Sequence, residues 1–473
     1  MAVPEGEIDH QALYDKIKDK PCKVVDLETR VVGSAGGPAR TRHQLIDREL
    51  DSVYEAKTLG EIHAALEQAG RNLQSLDIFR RVDILVHEEP QDDPEAVTVQ
   101  LNLEEKKWYK INAATYFQGG ENSFEMGAGL HNLRGCAEHI TASAEYGSEN
   151  SSQASLVYEQ PRIGGLPIHF DARLHQFLRN SQKSSSFVEK LRGGQIGIKS
   201  LDMKHALQYE LGWRSITDPS KHASRAVLAQ TGDFLKSALR YAFFLDKRDS
   251  PVAPTKGWAV KCTSELGGLG PDSQLRYGKQ QVDFQGILPL GMGAALSLSA
   301  SGGVVLPWGG PDPLARPTSI CERFFLGGPT SLRGFKFKGV GPSQLRRPVS
   351  AQATPLGETP APTKRDALGG DLYASVLAAL TFQLPHPVLK SLNMHGQVFV
   401  NGGNNMALAG TSRPLRDSIN EFGSQFRWST GAGLYLPTWF GRFEANYVVL
   451  LSSQPQDSMK KGFQLGFSTS LFA

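Results

Sequence analysis

The sequence predicts a mainly β protein: a 16-stranded antiparallel transmembrane β-barrel preceded by one N-terminal domain of β-α-α-β-β order. Three observations predict it. From about residue 112 to the end, segment after segment alternates apolar with polar side chains, the period of a wall with lipid outside and water inside. One long connection, 306–370, interrupts the alternation. It carries the run ERFFLGGPTSLRGF at 322–335, with clustered aromatics, a Gly-Gly-Pro bend and an arginine held in Arg333-Gly334-Phe335. Ahead of the barrel (111–473), residues 22–110 pattern as an independent α/β unit behind an extension, 1–21.

In the front unit, Val25, Leu27, Thr29 and Val31 alternate with polar neighbours and predict a strand. Two helical patterns follow. In the second, Leu59, Ile62, Leu66, Ala69, Leu73 and Leu76 step by three and four and form one apolar stripe. Thr58 and Glu61 stand in the capping-box relation at its start. Val82, Ile84 and Val86, then Val97, Val99, Leu101 and Leu103, predict two strands joined across 89–94 as a hairpin. Sheet edges in such a unit can accept an extended peptide by strand addition. The alternative is a structural spacer without a ligand.

Barrel strands are expected to start near 112, 122, 137, 151, 165, 186, 204, 233, 257, 276, 292, 371, 393, 424, 440 and 462, and no helix is expected among them. Leu207, Tyr209, Leu211 and Trp213 share one face; Leu235, Leu239, Tyr241 and Phe243 share another, opposite Lys236 and Arg240. Phe443, Ala445, Tyr447 and Val449 alternate with Arg442, Glu444 and Asn446. Residues 286–311 carry no charge and have the length of a membrane helix. Yet they hold three prolines and seven glycines, and Leu296 and Leu298 alternate with serines, so strand is the better reading. Trp213, Trp258, Trp308, Trp428 and Trp439 fall near strand ends, where an interfacial girdle belongs. An even strand count puts both barrel termini on the side of the front unit and the 306–370 connection on the other. The part from Pro342 to Thr363, rich in Pro, Ala and Thr, is expected to be mobile.

Composition excludes several function classes. Hydrophobic content is 40% and mean hydropathy −0.30, values of a soluble protein, but membrane strands show lipid only every second residue. A net charge of +3 does not argue for nucleic acid. Cys22, Cys136, Cys262 and Cys321 are too scattered for a disulfide framework or a metal site, so no metal is expected. The first ten residues show neither a secretory signal nor an Arg-rich presequence. No HExxH, GxSxG or Walker lysine is present, so no enzyme activity and no cofactor are expected. Asp246 and Asp249 read as members of a hairpin turn rather than as a carboxylate pair.

Taken together these residues resemble the BamA-type superfamily of outer-membrane barrel insertases. They are most like its mitochondrial branch, which supplies the central barrel subunit of the sorting and assembly machinery. The resemblance spans about 20–473. It is carried most specifically by the loop at 324–335, with support from LHNLRGCAE at 130–138 and from the turns at 246–251 and 254–257. It implies that the front unit is a POTRA domain in the intermembrane space and that the protein inserts β-barrel precursors into the mitochondrial outer membrane. Partners would be porin-type clients, membrane lipid and peripheral subunits on the cytosolic face.

In bacterial relatives the loop arginine meets acids on the inner wall; here those positions appear as Thr381 and Asn401, with Phe399 and Asn401 facing inward by parity. Arg333 would then hydrogen-bond neutral acceptors there, unless another inner acid such as Glu444 takes their place. A lateral gate would form between the first strand (Asn112, Ala113, Ala114, Thr115, Tyr116, Phe117) and the last, whose Gly462, Gly466 and Leu471 pair weakly. Residues 460–467 also fit the family's client pattern of polar, any, Gly, two of any, hydrophobic, any, hydrophobic. The competing readings are a passive protein-translocating channel, a plastid-envelope relative, or a soluble β-protein.

Overall fold

The computed structural model describes residues 18–88, 96–118, 121–270, 273–347, 364–411, 414–438 and 441–468. By compactness the chain divides into two units. One runs to Asn112 and also takes in 127–142 and 156–171; the other holds the remainder.

In the first unit the order is β1 (Lys23–Val32), α1 (His43–Tyr54), α2 (Leu59–Ser75), β2 (Phe79–Glu88) and β3 (Ala96–Glu105). The sheet order is β1-β3-β2, with β1 parallel and β2 antiparallel to β3. The α2 stripe packs as the sequence predicts: Ile62, Leu66, Ala69 and Leu73 are buried with Ile46, Leu50 and Val53 of α1 and Val97, Val99, Leu101 and Leu103 of β3. Each of these valine, leucine and isoleucine side chains stabilises by roughly 1.5–3 kcal/mol when fully buried. One face differs. A bulge between Val24 and Asp26 shifts the register, so Val24 is buried and Val25 is exposed.

Half of the expected capping box forms. Thr58 Oγ1 accepts from the Glu61 N–H at 3.2 Å, while the Glu61 carboxylate takes the Lys57 N–H at 2.9 Å. The remaining free N–H groups of the first turn are met by the chain before 22: Leu59 donates to the Lys20 carbonyl and Gly60 to that of Lys18. Residues 18–21 thus belong to the domain. The 89–94 turn lies outside the described residues.

The 16-stranded sheet comprises β4 (Tyr109–Gln118), β5 (Glu121–His131), β6 (His139–Gly147), β7 (Ser152–Pro161), β8 (Ile168–Asn180), β9 (Val188–Ser200), β10 (His205–Thr217) and β11 (Gly232–Asp246), followed by β12 (Gly257–Gly267), β13 (Tyr277–Gly291) and β14 (Ala294–Pro307). After a connection holding the small hairpin β15 (Ser343–Leu345) and β16 (Arg365–Ala367), it resumes with β17 (Leu372–Gln383), β18 (His395–Met406), β19 (Arg427–Thr438), β20 (Gly441–Ser452) and β21 (Gly462–Ser468). Each sheet strand neighbours the next in sequence, except that β14 pairs directly with β17. The expected starts lie within three residues of these.

The charge-free stretch is the end of β13, a turn and β14, paired Gly286 to Leu298. Phe443, Tyr447 and Val449 are exposed, whereas Arg442, Glu444 and Asn446 are buried on the inner face. Trp213, Trp258, Trp308 and Trp428 are all partly exposed; Trp439 lies outside the described residues.

Helix does occur beyond 112: short turns at 182–185, 225–228 and 387–391, and α3 (Leu415–Ser424) between β18 and β19. Every one sits in a strand connection, where the two-residue period gives no guidance. Replacing the cap, Thr58→Ala, is expected to lower the stability of the front unit by about 1 kcal/mol, read as a lower urea midpoint of the purified protein.

Candidate functional site: the arginine loop on the inner wall

The described stretch 322–340 of the connection bonds to inward-facing side chains of the wall, and Arg333 is buried there. Its Nη2 donates to Glu444 Oε2 of β20 at 2.7 Å, and its guanidinium lies 4.6 Å from the centre of the Phe399 ring. Glu444 is held by others as well: Arg442 Nε lies 2.9 Å from Oε1, and Asn446 and Gln397 donate to Oε2 at 2.9 and 3.2 Å. The arginine therefore meets a charged partner, and Glu444 supplies it.

The neutral positions serve the backbone of the motif. With its amide oxygen toward the loop, Asn401 accepts from the Arg333 N–H at 2.8 Å and donates to Ser429. Ser429 in turn donates to the Arg333 carbonyl at 2.6 Å. Asn401 and Ser429 are cross-strand partners, so one rung of the β18–β19 ladder holds both polar groups of the arginine's backbone. Phe399 is paired with Gly431, where a Cβ would come 2.7 Å from its ring, so the glycine makes room for the platform beneath Arg333. Thr381 does not join this group in the way the resemblance implies. Its hydroxyl donates to the Ala295 carbonyl at 3.2 Å.

Gly334 has φ +93°, and a Cβ there would lie 2.6 Å from Leu450 Cδ2. Both facts require glycine. Its N–H donates to Gln464 Oε1 of β21 at 3.2 Å. Phe335 is fully buried with Leu326, Leu332, Val340 and Leu450. The motif thereby touches β18, β19, β20 and β21.

A second anchor was missed by sequence reasoning. Glu322, at the start of the same run, pairs with Arg214 of β10 and lies 3.6 Å from Lys236 of β11, while Lys279 of β13 donates to its carbonyl at 2.9 Å. Around it, Arg214 also faces Glu189 at 3.3 Å, and Lys236 faces Glu210 and Glu265 at 2.9 and 3.3 Å. Burial alone would raise the Glu322 carboxyl, but Arg214 and Lys236 hold it below the usual range. The inward parity of Lys236 and Glu210 is the signal that could have found the cluster. Lys338 is half-buried with its ammonium 4.3 Å from the centre of the Phe325 ring, and desolvation pushes it down to about 8.

Other expected residues fall as follows. Asn112 through Phe117 all lie in β4, the first strand of the sheet. Gly462 and Gly466 lie in β21; Leu471 lies outside the described residues. The 130–138 run is a tight turn. Asn132 N–H bonds the Glu138 carbonyl at 2.7 Å, the Glu138 carboxylate takes the Cys136 N–H at 3.0 Å, and Asn132 Nδ2 donates to Thr41 at 2.8 Å. Asp249 caps its own turn, accepting from the Thr255 N–H at 2.9 Å.

A 16-stranded wall with a buried Arg-Gly-Phe loop on its inner face defines a class, and sequence comparison agrees. The Omp85 superfamily domain matches residues 132–471, and the chain belongs to that superfamily. Within it the chain is 30% identical over 440 residues to the human sorting and assembly machinery component 50 homolog, covering 91% of this chain and 87% of that one. The mouse homolog is 29% identical with the same coverage. Among solved structures, BamA from Haemophilus ducreyi lacking POTRA domains 1–3 superposes with a TM-score of 0.71 at 16% identity, over 93% of this chain and 84% of that one.

Removing Glu444's charge, Glu444→Gln, leaves Arg333 buried without a counter-ion, a change that costs about 3–5 kcal/mol. Faster protease cleavage within 322–340 of the folded barrel is the expected result. Gly334→Ala should expose the same segment through its clash with Leu450.

Proposed function

We propose that this chain inserts β-barrel precursors into the mitochondrial outer membrane through a lateral opening between β4 and β21. The observation that carries the reading is the state of the sheet ends. Among the described residues β4 and β21 lie at the two ends of the sheet and each pairs with a single neighbour. A barrel in lipid must satisfy its edge N–H and C=O groups. A client strand that adds to β4 satisfies the same groups by β-augmentation.

The likeness to sorting and assembly machinery relatives supports the mitochondrial setting. It also supports the front unit lying in the intermembrane space as a POTRA domain, with peripheral subunits on the cytosolic face. The work is conformational, with no covalent chemistry and no cofactor: main-chain hydrogen bonds are exchanged between seam and client. The Arg333 loop bears on this exchange because Gly334 is bonded to β21 itself.

The test is disulfide crosslinking in isolated mitochondria. Single cysteines along Ala113–Phe117, in a background lacking the native four, are paired with cysteines along the last strand of an imported porin. Crosslinks at alternating positions in one register support templated insertion. Crosslinks only along the inner wall would mean passage through a channel instead. Arg333→Ala should leave the barrel folded and slow porin assembly; an unchanged rate would remove the loop from the mechanism. Deleting the front unit should cost less assembly than disrupting β4 or β21, measured in the same import assay.

A further inference from the structure

The last strand does not follow its neighbour for its whole available length. β21 pairs with β20 from Gly462 to Ser468, opposite Val448 to Arg442, so Val449–Ser452 of β20 have no partner from β21. Just before Gly462, whose φ is +86°, the chain leaves the wall and pairs with the arginine loop instead. Lys336 N–H donates to the Ser458 carbonyl at 2.9 Å, Ser458 N–H to that of Gly339 at 2.8 Å, and Lys460 N–H to that of Gly334 at 2.8 Å; Phe335 bridges Met459. Residues 458–460 thus have two possible ladders: the loop, as observed, or β20, by continuing the existing register to Leu450–Ser452.

What holds them to the loop is the segment just before. Arg427, the first residue of β19, is fully buried and grips Asp457 with both arms, Nε to Oδ2 at 3.0 Å and Nη2 to Oδ1 at 3.1 Å. Its other N–H groups go to Asn404 Oδ1, to the Gln425 carbonyl at 3.1 Å and to Gln454 Oε1 at 3.0 Å, so all five donors of the guanidinium are used. Asp457 also takes the Gln454 N–H at 2.7 Å. The planar fork fixes direction as well as distance, which a flexible ammonium does not. Among the described residues no hydrogen bond or ion pair of Arg427 or Asp457 reaches Arg333, β4 or β21.

We propose that Arg427 and Asp457 are positioning residues of the insertion machinery. Their bidentate pair holds 457–460 on the arginine loop and so withholds those residues from β20, keeping the seam strand short. The role rests on the insertase reading above, but the pairing it predicts can be measured without it.

Two cysteine pairs read the two ladders in a protein lacking the native cysteines: Phe335→Cys with Met459→Cys for the loop, and Leu451→Cys with Met459→Cys for β20. In the wild-type background the first pair should crosslink and the second should not. Asp457→Asn or Arg427→Gln should lower the first yield about tenfold or more and raise the second, and slow porin assembly with the barrel still heat-modifiable. Should these fail to fold, Gln454→Ala, which removes one acceptor of the fork, should shift the yields the same way to a smaller extent. Unchanged yields of both pairs in folded variants would overturn the proposal. Shifted yields with normal porin assembly would uphold the clamp and sink its role in insertion. A wild-type protein that supports no porin assembly would instead sink the insertase reading and leave the crosslink result standing.

Discussion

The end of the sheet that carries the last strand turns on a buried cation with one shared anion. The Arg333 guanidinium, taken out of water, is stable only beside a charge, and Glu444 is that charge for both Arg333 and Arg442. The pair fixes the loop at the end of the sheet that contains the last strand. Once it forms, the backbone of the motif has its N–H and C=O met by Asn401 and Ser429, as burial of a loop demands.

The loop is bonded at two separated places. Glu322 reaches β10, β11 and β13, and Arg333 with its neighbours reaches β18 to β21. Both anchors come from one run of fourteen residues (322–335), bent at Gly327 and Gly328, which have φ +117° and +121°. A segment tied so to two parts of the wall is a structural member of the barrel. Because Gly334 is bonded to Gln464, any displacement of β21 relative to the loop must break that bond.

Much of this architecture is legible in the sequence. Sixteen strands could be read because alternation is a local signal, renewed in each segment, and inward parity placed Phe399, Asn401 and Glu444 on the correct face. The signal failed where local rules stop. A one-residue bulge at Val24–Asp26 reversed the face of Val25, and α3 formed in a connection where no wall imposes a period. Thr381 has the right parity, yet its hydroxyl bonds its own neighbouring strand.

The sequence by itself therefore determined the strands, their faces, the front unit's core and the presence of an arginine loop, since each depends on residues a few positions apart. Only the tertiary structure decided that Glu444 rather than Thr381 or Asn401 meets the guanidinium, across 111 residues of chain. It alone brought Glu322 to Lys236 and Arg427 to Asp457. Parity states which side of the wall a charge faces. Which of several inward charges come within 3 Å of one another is set by strand register and by where the loop crosses the wall, and no local pattern encodes that.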